Sequence, residues 1–363
     1  MLKAYKPVNY KIKDIHKLIE FLVTEVWCKA DRKLPKTRLN AELKSIYENS
    51  DYEWFKDSVD KIYILFKDKS FSQADKDNFH RVFINNNEIE KLCNGTNSPI
   101  YAKDFNPIIK DAIVEFFSQL YTKFLGWKVI KDNYGTKKGY YDILVSRTNH
   151  FKECPCCGYG DLKTWFSESR SAFDHYLPIK HYPLSSINFD NLAPICDECN
   201  GRGVKGEKDI LFKGRKKAFY PFSKTHSPIN VSVDFDTSII SFIVSEINDE
   251  KFDKNSFRIG FSISSPEVNS WNKIYKIDSR YKGKLADNKC GWFRKVKKQF
   301  ELEYLKNKKY SAVDAFEHII KLDDEDHLSL LKIPYLTKLK SFKSLVKAVE
   351  EVSGSSTIKK VRK

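Results

Sequence analysis

Two Cys-x-x-Cys pairs constrain this chain more than any other feature of its sequence. Cys154 and Cys157 form the first pair, Cys196 and Cys199 form the second, and 38 residues (158–195) separate them. Two intervening residues let both sulfurs of a pair reach one ion, and zinc favours four thiolates in a tetrahedron. We therefore expect a closed, structural zinc site that joins the two ends of a folded insertion. The alternative is that buried cysteines match this spacing by chance.

The rest of the sequence favours a metal site over disulfides. The first residues, MLKAYKPVNYKIKDIHKL, lack the apolar stretch of a secretory signal, so we expect a cytoplasmic protein whose cysteines stay reduced. No apolar run reaches the length of about 18 residues that predicts a membrane span. The formal charge of +16 favours a polyanionic partner, either DNA or RNA. A coding bias towards lysine in an AT-rich genome is the alternative explanation of that charge.

The segment between the cysteine pairs predicts a polar site near the end of a strand. The stretches TWF (164–166) and SAFDHYL (171–177) have the composition of two strands of a hairpin. Asp174 and His175 are adjacent near the end of the second strand, just before Pro178. Neighbouring side chains of a strand point to opposite faces unless a bulge or a strand end re-aims one of them. The strand end predicted at this position permits such a change of direction.

The order of these residues resembles the HNH endonuclease family, which has a ββα-metal fold. The resemblance rests on Cys-x-x-Cys, then Asp-His-x-x-Pro, then Asn-Leu-x-Pro-x-Cys-x-x-Cys-Asn, and it covers residues 151–210. The stretch DHYLPIKHYPLSSINFDNLAPICDECN is similar to the HNH subunits of bacterial antiphage defence operons, such as the nuclease of the Septu system. NSWNKIYKIDSRY (269–281) more loosely resembles a segment that follows the nuclease core in those proteins, and residues 1–100 carry no such resemblance.

The resemblance implies a role for each polar residue of the motif. His175 would be the general base that takes a proton from the attacking water, and Asn191 would brace the loop that aims it. Asp174 and Asn200 would hold a catalytic Mg²⁺ or Mn²⁺ through oxygen atoms, which hard cations prefer. A base that titrates near neutral pH and a Lewis acid on the phosphate together suit phosphodiester hydrolysis. Outside this frame an Asp-His pair is usually structural, and Asn200 alone could simply cap a helix.

Basic residues after the second cysteine pair are the predicted nucleic-acid contacts. In the family a lysine commonly follows the final asparagine after two residues, whereas GRGV separates Asn200 from Lys205 in this chain. The resemblance therefore implies that Lys205, Arg202 or Lys208 lies near the phosphate, and it leaves open which one does. The stretch KGEKDILFKGRKKAFY carries six basic residues, at positions 205, 208, 213, 215, 216 and 217. They either bind backbone phosphates or form a solvated loop.

The whole sequence predicts an α+β fold of three regions. Residues 1–127 form a mostly helical N-terminal region, 128–222 hold the ββα-metal core with its four-cysteine zinc site, and 223–363 form an α+β C-terminal region. Apolar residues spaced by three and four predict a helix that opens at 265 and helices at 15–27, 40–66, 107–127, 290–307 and 334–352. Runs with strand character lie at 140–145, 231–244 and 256–263.

These expectations favour a metal-dependent DNA endonuclease. The resemblance implies a sequence-tolerant enzyme of antiphage defence that a partner ATPase or sensor protein controls. Because a nuclease must be restrained in its own host, we expect the large unassigned flank, the helical residues 1–125, to be the docking region. RNA as the substrate stays open, because HNH chemistry acts on a phosphodiester and not on a base. The alternative is a zinc-stabilised nucleic-acid-binding module without turnover. Plasmid cleavage by the wild type and by His175→Ala distinguishes the two functions.

Overall fold

The computed structural model describes residues 1–212, 214, 216–245, 252–322 and 327–351. Most of these residues are helical and few form strands, which confirms the predicted α+β class. The chain forms two compact units, of which the first contains Met1–His226 and Pro266–Tyr275. The second contains Ser227–Ser265 and Lys276–Lys363. The predicted regions 1–127 and 128–222 therefore both lie in the first unit.

Helices far outnumber strands among the described residues. In chain order, the helices are α1 (Asp14–Phe21), α2 (Ala41–Tyr47), α3 (Glu53–Lys67), α4 (Gln73–Asn87), α5 (Ile89–Asn94), α6 (Pro107–Thr122), α7 (Lys128–Tyr134), α8 (Lys137–Tyr141), α9 (Asp197–Asn200), α10 (Ile240–Val244), α11 (Pro266–Tyr275), α12 (Ile277–Lys306), α13 (Ala312–Leu322), α14 (Ser329–Lys340) and α15 (Lys343–Glu350). The strands are β1 (Phe173–His175), β2 (Leu192–Pro194), β3 (Val231–Phe235) and β4 (Phe257–Phe261). Among these helices, none has the length and apolar character that crossing a membrane requires.

The predicted helices of the N-terminal region are present, with different boundaries. α1 continues as a π-helix over Leu22–Trp27, and the predicted helix 40–66 is divided into α2 and α3. α6 ends at Thr122, before the predicted end. The buried faces of α3 and α6 carry large aromatic side chains, and the Trp27 ring of the π-helix lies 5.0 Å from the Phe116 ring of α6 between centroids. Each such side chain contributes roughly 1.5–3 kcal/mol when it is removed from water.

The strand predicted at 140–145 is wrong, because this segment is helical. α8 continues into a π-helix over Asp142–Asn149. The Thr136 side chain accepts a hydrogen bond from the Gly139 backbone N–H at 3.0 Å and so caps the start of α8. Tyr140 and Tyr141 are buried and both contact the Phe173 ring, at 5.8 and 5.9 Å between centroids. Packing against β1 therefore outweighs the local preference of YYDILV for a strand.

The residues between the cysteine pairs contain two strands joined by a loop, and a short helix begins within the second pair. β1 pairs antiparallel with β2, so that Asp174 lies opposite Ala193 and His175 opposite Leu192. The hairpin predicted from 164–166 and 171–177 is wrong, since 164–166 lie in an irregular loop. The strand partner is instead Leu192–Pro194, for which the sequence analysis predicted no strand. β2 leads directly into α9, which carries Cys199.

The second unit contains a two-stranded sheet and helices. β3 and β4 pair antiparallel, with Val233 opposite Ile259, which confirms a small sheet in this region. The strand predicted over 231–244 ends early, because the Asp236 carboxylate accepts a hydrogen bond from the Ser238 N–H at 3.0 Å and starts a helical turn. The predicted helices 290–307 and 334–352 correspond to the end of α12 and to α14 and α15. Position 352 of the last prediction lies outside the described residues.

Candidate metal centre and adjacent polar site

The four cysteines of the two Cys-x-x-Cys pairs form one buried cluster. Their sulfur atoms all lie within 4.8 Å of one another. A zinc ion bound tetrahedrally at about 2.3 Å from each sulfur requires sulfur–sulfur distances of roughly 3.8 Å. The Cys157 and Cys196 sulfurs are 3.8 Å apart. The cluster therefore can hold a zinc ion, as the spacing predicts.

Backbone groups around the cluster stabilise negative sulfur. The Cys196 N–H donates to Cys154 Sγ and the Gly160 N–H donates to Cys157 Sγ, both at 3.3 Å. A side-chain carbon at position 160 would overlap the Cys196 sulfur, so this close approach requires glycine. Burial raises the pKa of Cys154, so its thiolate needs a nearby cation. A bound zinc ion supplies that charge.

Helix α11 also supports the first cysteine pair. The Trp271 indole N–H donates to the Cys156 carbonyl at 2.9 Å, and Trp271 is fully buried. Residues 1–5 pass beside both cysteine pairs. The Lys3 N–H donates to the Pro155 carbonyl, and the Tyr5 hydroxyl donates to the Pro194 carbonyl. The cluster is thus held by segments far from it in sequence.

Asp174 and Lys205 form a buried ion pair. Lys205 Nζ lies 2.6 Å from Asp174 Oδ1 and also donates to the His175 carbonyl at 2.9 Å. The Lys205 side chain is fully buried, so the prediction that it contacts a phosphate directly is corrected. Burial raises the pKa of the Asp174 carboxyl group, while Lys205 and the nearby Tyr275 hydroxyl act in the opposite direction. The second carboxylate oxygen, Oδ2, is buried and has no hydrogen-bond partner among the described residues.

Replacing Lys205 by methionine is expected to lower the free energy of unfolding by about 3 kcal/mol, because it leaves a buried carboxylate without its partner. Urea unfolding followed by circular dichroism measures this loss. Lys208→Met is the matched control, since Lys208 is exposed, and should change stability by less than about 0.5 kcal/mol. Combining Lys205→Met with Asp174→Asn should restore part of the loss. Equal, small effects of Lys205→Met and Lys208→Met would contradict the buried ion pair.

His175 is held in one tautomer by a backbone carbonyl. Its Nε2 lies 2.9 Å from the Ser186 carbonyl oxygen, which can only accept, so Nε2 carries the proton and Nδ1 has the lone pair. The Tyr121 ring meets the imidazole edge to face at 4.4 Å. Removal of the ring from water lowers the pKa of His175 to about 4, and Lys205 and Lys137 add to this shift. The imidazole is therefore neutral at pH 7 and can accept a proton.

The Asn191 side chain joins the two ends of the loop between β1 and β2 by hydrogen bonds. Its amide oxygen accepts from the Leu177 N–H at 2.7 Å, and its amide nitrogen donates to the Leu177 carbonyl at 3.0 Å. The same nitrogen reaches the Ser185 carbonyl at 3.4 Å. The Ser186 hydroxyl in turn donates to the Phe117 carbonyl of α6 at 2.6 Å. These bonds hold the loop that carries the Ser186 carbonyl, the partner of His175, and the catalytic role of Asn191 stays a prediction.

The other predicted site residues lie after the second cysteine pair. Asn200 is the last residue of α9, is half-buried, and its N–H donates to the Cys196 carbonyl at 3.0 Å. Its role as a ligand of Mg²⁺ or Mn²⁺ stays a prediction. Arg202 and Lys208 are exposed on the following loop. Of the six basic positions singled out there, 213 and 215 lie outside the described residues.

Two residues near His175 were missed by the sequence analysis. Tyr121 of α6 contacts the imidazole, and Lys137 Nζ of α8 lies 4.3 Å from the centre of the Tyr121 ring. Burial raises the pKa of Tyr121 to about 12 and lowers that of Lys137. Both residues belong to helices that lie outside the cysteine frame in sequence. No local pattern distinguishes them from other tyrosines and lysines, so only the folded structure reveals them.

Comparison with known proteins gives a short similarity. No family model matches the chain, and no solved structure matches it. Protein ea31 of Escherichia phage lambda is 35% identical over 79 residues, which are 22% of this chain and 23% of that protein. The aligned stretch thus spans less than a quarter of either protein. The chain is similar to ea31 over this stretch alone.

Proposed function

We propose that this chain is a metal-dependent HNH endonuclease that hydrolyses phosphodiester bonds in DNA, and that its β1–loop–β2–α9 segment is a ββα-metal core. The observation that carries the proposal is the state of His175. Its Nε2–H is engaged by the Ser186 carbonyl, so the lone pair of Nδ1 is available to accept a proton from water. The braces from Asn191 and Phe117 keep the imidazole in this orientation.

The positions of Asp174 and His175 on β1 limit how the two residues can act on one phosphate. The two residues are consecutive in β1 and their pairing with β2 has no bulge, so their side chains leave opposite faces of the strand. In-line displacement at phosphorus places the attacking and leaving oxygens on opposite sides. The base and the cation ligand must nevertheless act on the same phosphate. The change of direction that the sequence analysis expected at this strand end is therefore required, and the regular pairing does not supply it.

The proposed catalytic cation is Mg²⁺ or Mn²⁺. Asp174 Oδ2 is a buried oxygen without a hydrogen-bond partner among the described residues, and a hard cation is one way to satisfy it. Asn200, directly after Cys199, would add its amide oxygen. When bound, such a cation would supply Lewis-acid stabilisation of charge on the phosphate. The zinc ion of the cysteine cluster would be structural.

A second candidate function is a zinc-stabilised nucleic-acid-binding module without turnover. The ion pair between Asp174 and Lys205 favours it, because one carboxylate oxygen is already occupied at 2.6 Å. This module would bind DNA or RNA through exposed basic residues such as Arg202 and Lys208. A zinc ion in the four-cysteine cluster would stabilise the fold equally for either function. Turnover is therefore the property that distinguishes them.

We further propose a role in antiphage defence with a partner ATPase or sensor protein that docks on residues 1–125. The proposal is supported by the resemblance to the nuclease subunits of defence operons and by the need to restrain a nuclease in its own host. In this region Leu34 and Ile64 are each 63% exposed and line a groove of about 800 Å³. Exposed apolar side chains of this kind suit a protein interface.

Incubation of the purified chain with supercoiled plasmid and Mg²⁺ or Mn²⁺ tests the function. We expect nicked or linear plasmid with the cation, none without it, and none with His175→Ala. Intact plasmid that shifts in a gel with both proteins would support the binding module. RNA in the same assay determines the nucleic acid that is cleaved. Low activity that rises when proteins of the same operon are added is expected for a partnered enzyme, whereas full activity of the chain alone would contradict it.

A further inference from the structure

Two neighbouring aromatic side chains are exposed on the loop 163–170, which we call the aromatic loop. The Phe166 side chain is 87% exposed and Trp165 is 42% exposed. Their rings meet edge to face at 5.7 Å, and the Arg147 guanidinium lies 5.4 Å from the centre of the Trp165 ring. Single exposed apolar residues are ordinary on protein surfaces. An adjacent aromatic pair with a cation beside it is the combination that stacks nucleic-acid bases.

The aromatic loop is held in place by hydrogen bonds at its base. The Arg170 guanidinium donates to the Ser167 carbonyl at 2.7 Å and to the Trp165 carbonyl at 3.2 Å, and it pairs with Asp142. The Tyr141 hydroxyl donates to the Lys163 carbonyl at 2.7 Å. The aromatic pair is therefore presented by an ordered loop. A preformed surface loses little conformational freedom when a ligand binds.

A groove of about 410 Å³ begins at the C-terminal end of the aromatic loop, at residues 168–170. Its lining also contains residues 171–173, Tyr121, Lys137, Lys138 and Tyr141. Tyr121 contacts the His175 imidazole directly. Arg170 is already paired with Asp142, but the two lysines exceed the negative charge of Glu168 in this lining, so the groove complements a phosphodiester backbone.

We infer that the aromatic loop stacks an unpaired base on Phe166 and Trp165 while the adjacent backbone follows the groove towards His175. The preferred ligand is then a single-stranded segment of nucleic acid. That this segment is also a substrate rests on the proposed nuclease function. The faces of bases are accessible in a single strand, whereas a duplex offers base edges and phosphates. The lysines in the lining favour this polyanion over an apolar protein surface.

The test measures nucleic-acid binding by the zinc-bound His175→Ala variant, without added magnesium. This variant is the parent protein for the substitutions below. Fluorescence anisotropy compares a labelled single strand with the matched duplex. Phe166→Ala is expected to weaken single-strand binding about tenfold, the order of magnitude of one stacked base, and to leave duplex binding within about twofold. Phe166→Trp should retain the affinity. Leu305→Ala removes an apolar, 72% exposed side chain of α12 and should change neither affinity.

Each other outcome overturns the inference. Equal losses for single strand and duplex would mean that the loop contacts paired DNA, and unchanged affinities would mean that it binds no base. Absent single-strand binding by the parent protein would exclude the ligand itself. Failure of the nuclease proposal is seen separately, as intact plasmid with Mg²⁺ while the selective effect of Phe166→Ala persists.

Discussion

Removal of the zinc ion that the four-cysteine cluster is proposed to hold is expected to destabilise the first unit strongly. Structural zinc contributes roughly 10–16 kcal/mol of binding free energy in small zinc domains, whereas a whole domain is stable by about 5–15 kcal/mol. The cluster is fully enclosed, and four buried sulfurs without a cation would repel one another or need protons. We expect chelation, or Cys196→Ser, to lower the melting temperature by at least about 15 °C, which corresponds to a loss of roughly 5 kcal/mol.

Circular dichroism melts combined with metal analysis by mass spectrometry measure this effect. Cys28→Ala is the matched control, because Cys28 is a buried cysteine outside the cluster. It should keep one zinc ion per chain and melt within a few degrees of the wild type. A metal-free protein that melts with the wild type would show that the cluster is an ordinary part of the core.

Replacement of His175 by alanine is expected to lower plasmid cleavage on the order of a thousandfold. General bases contribute 10²–10⁴-fold to rates, and the His175 Nδ1 lone pair is the proton acceptor in the proposed mechanism. The variant also loses the hydrogen bond to the Ser186 carbonyl, which costs about 1 kcal/mol of stability. The protein should therefore stay folded, with zinc bound and with unchanged affinity for DNA.

Initial rates of plasmid nicking and a melting curve together test this expectation. His181→Ala is the control, since His181 lies in the same loop and has no role in the proposed chemistry. Its rate should equal that of the wild type. If His175→Ala nicks plasmid as fast as His181→Ala, His175 is not the base and the proposed chemistry is wrong.

The sequence predicted the four-cysteine cluster well because the spacing of the cysteines determines it. Two residues between cysteines fix which sulfurs can share an ion, and that constraint does not depend on the rest of the fold. The strand at Phe173–His175 was also predicted, because the composition of the strand itself indicates it. The strand with which it pairs was not predicted. Pairing with Leu192–Pro194 closes a long loop and depends on Asn191, whose side chain holds that loop together.

Other differences come from tertiary contacts. Lys205 looked like a surface lysine in a basic stretch, but it pairs with Asp174, 31 residues earlier, and is buried. YYDILV has the composition of a strand, yet Thr136 caps a helix there and both tyrosines pack on Phe173. Tyr121 and Lys137 reach His175 from helices whose sequences carry no motif. Contacts between distant segments decide all of these cases, so periodicity and composition could not predict them.

The first unit is discontinuous in the chain, and this affects how the protein is made and divided. Its last helix, Pro266–Tyr275, follows a long stretch that belongs to the second unit. A ribosome must therefore synthesise part of the second unit before the indole that closes on the Cys156 carbonyl becomes available. A gene fragment that stops at His226 would encode the cysteine cluster without Trp271, so the Cys156 carbonyl would lack its indole donor. To express the first unit by itself, the coding sequence of Pro266–Tyr275 must therefore be joined to that of Met1–His226. A single truncation of the gene is not sufficient.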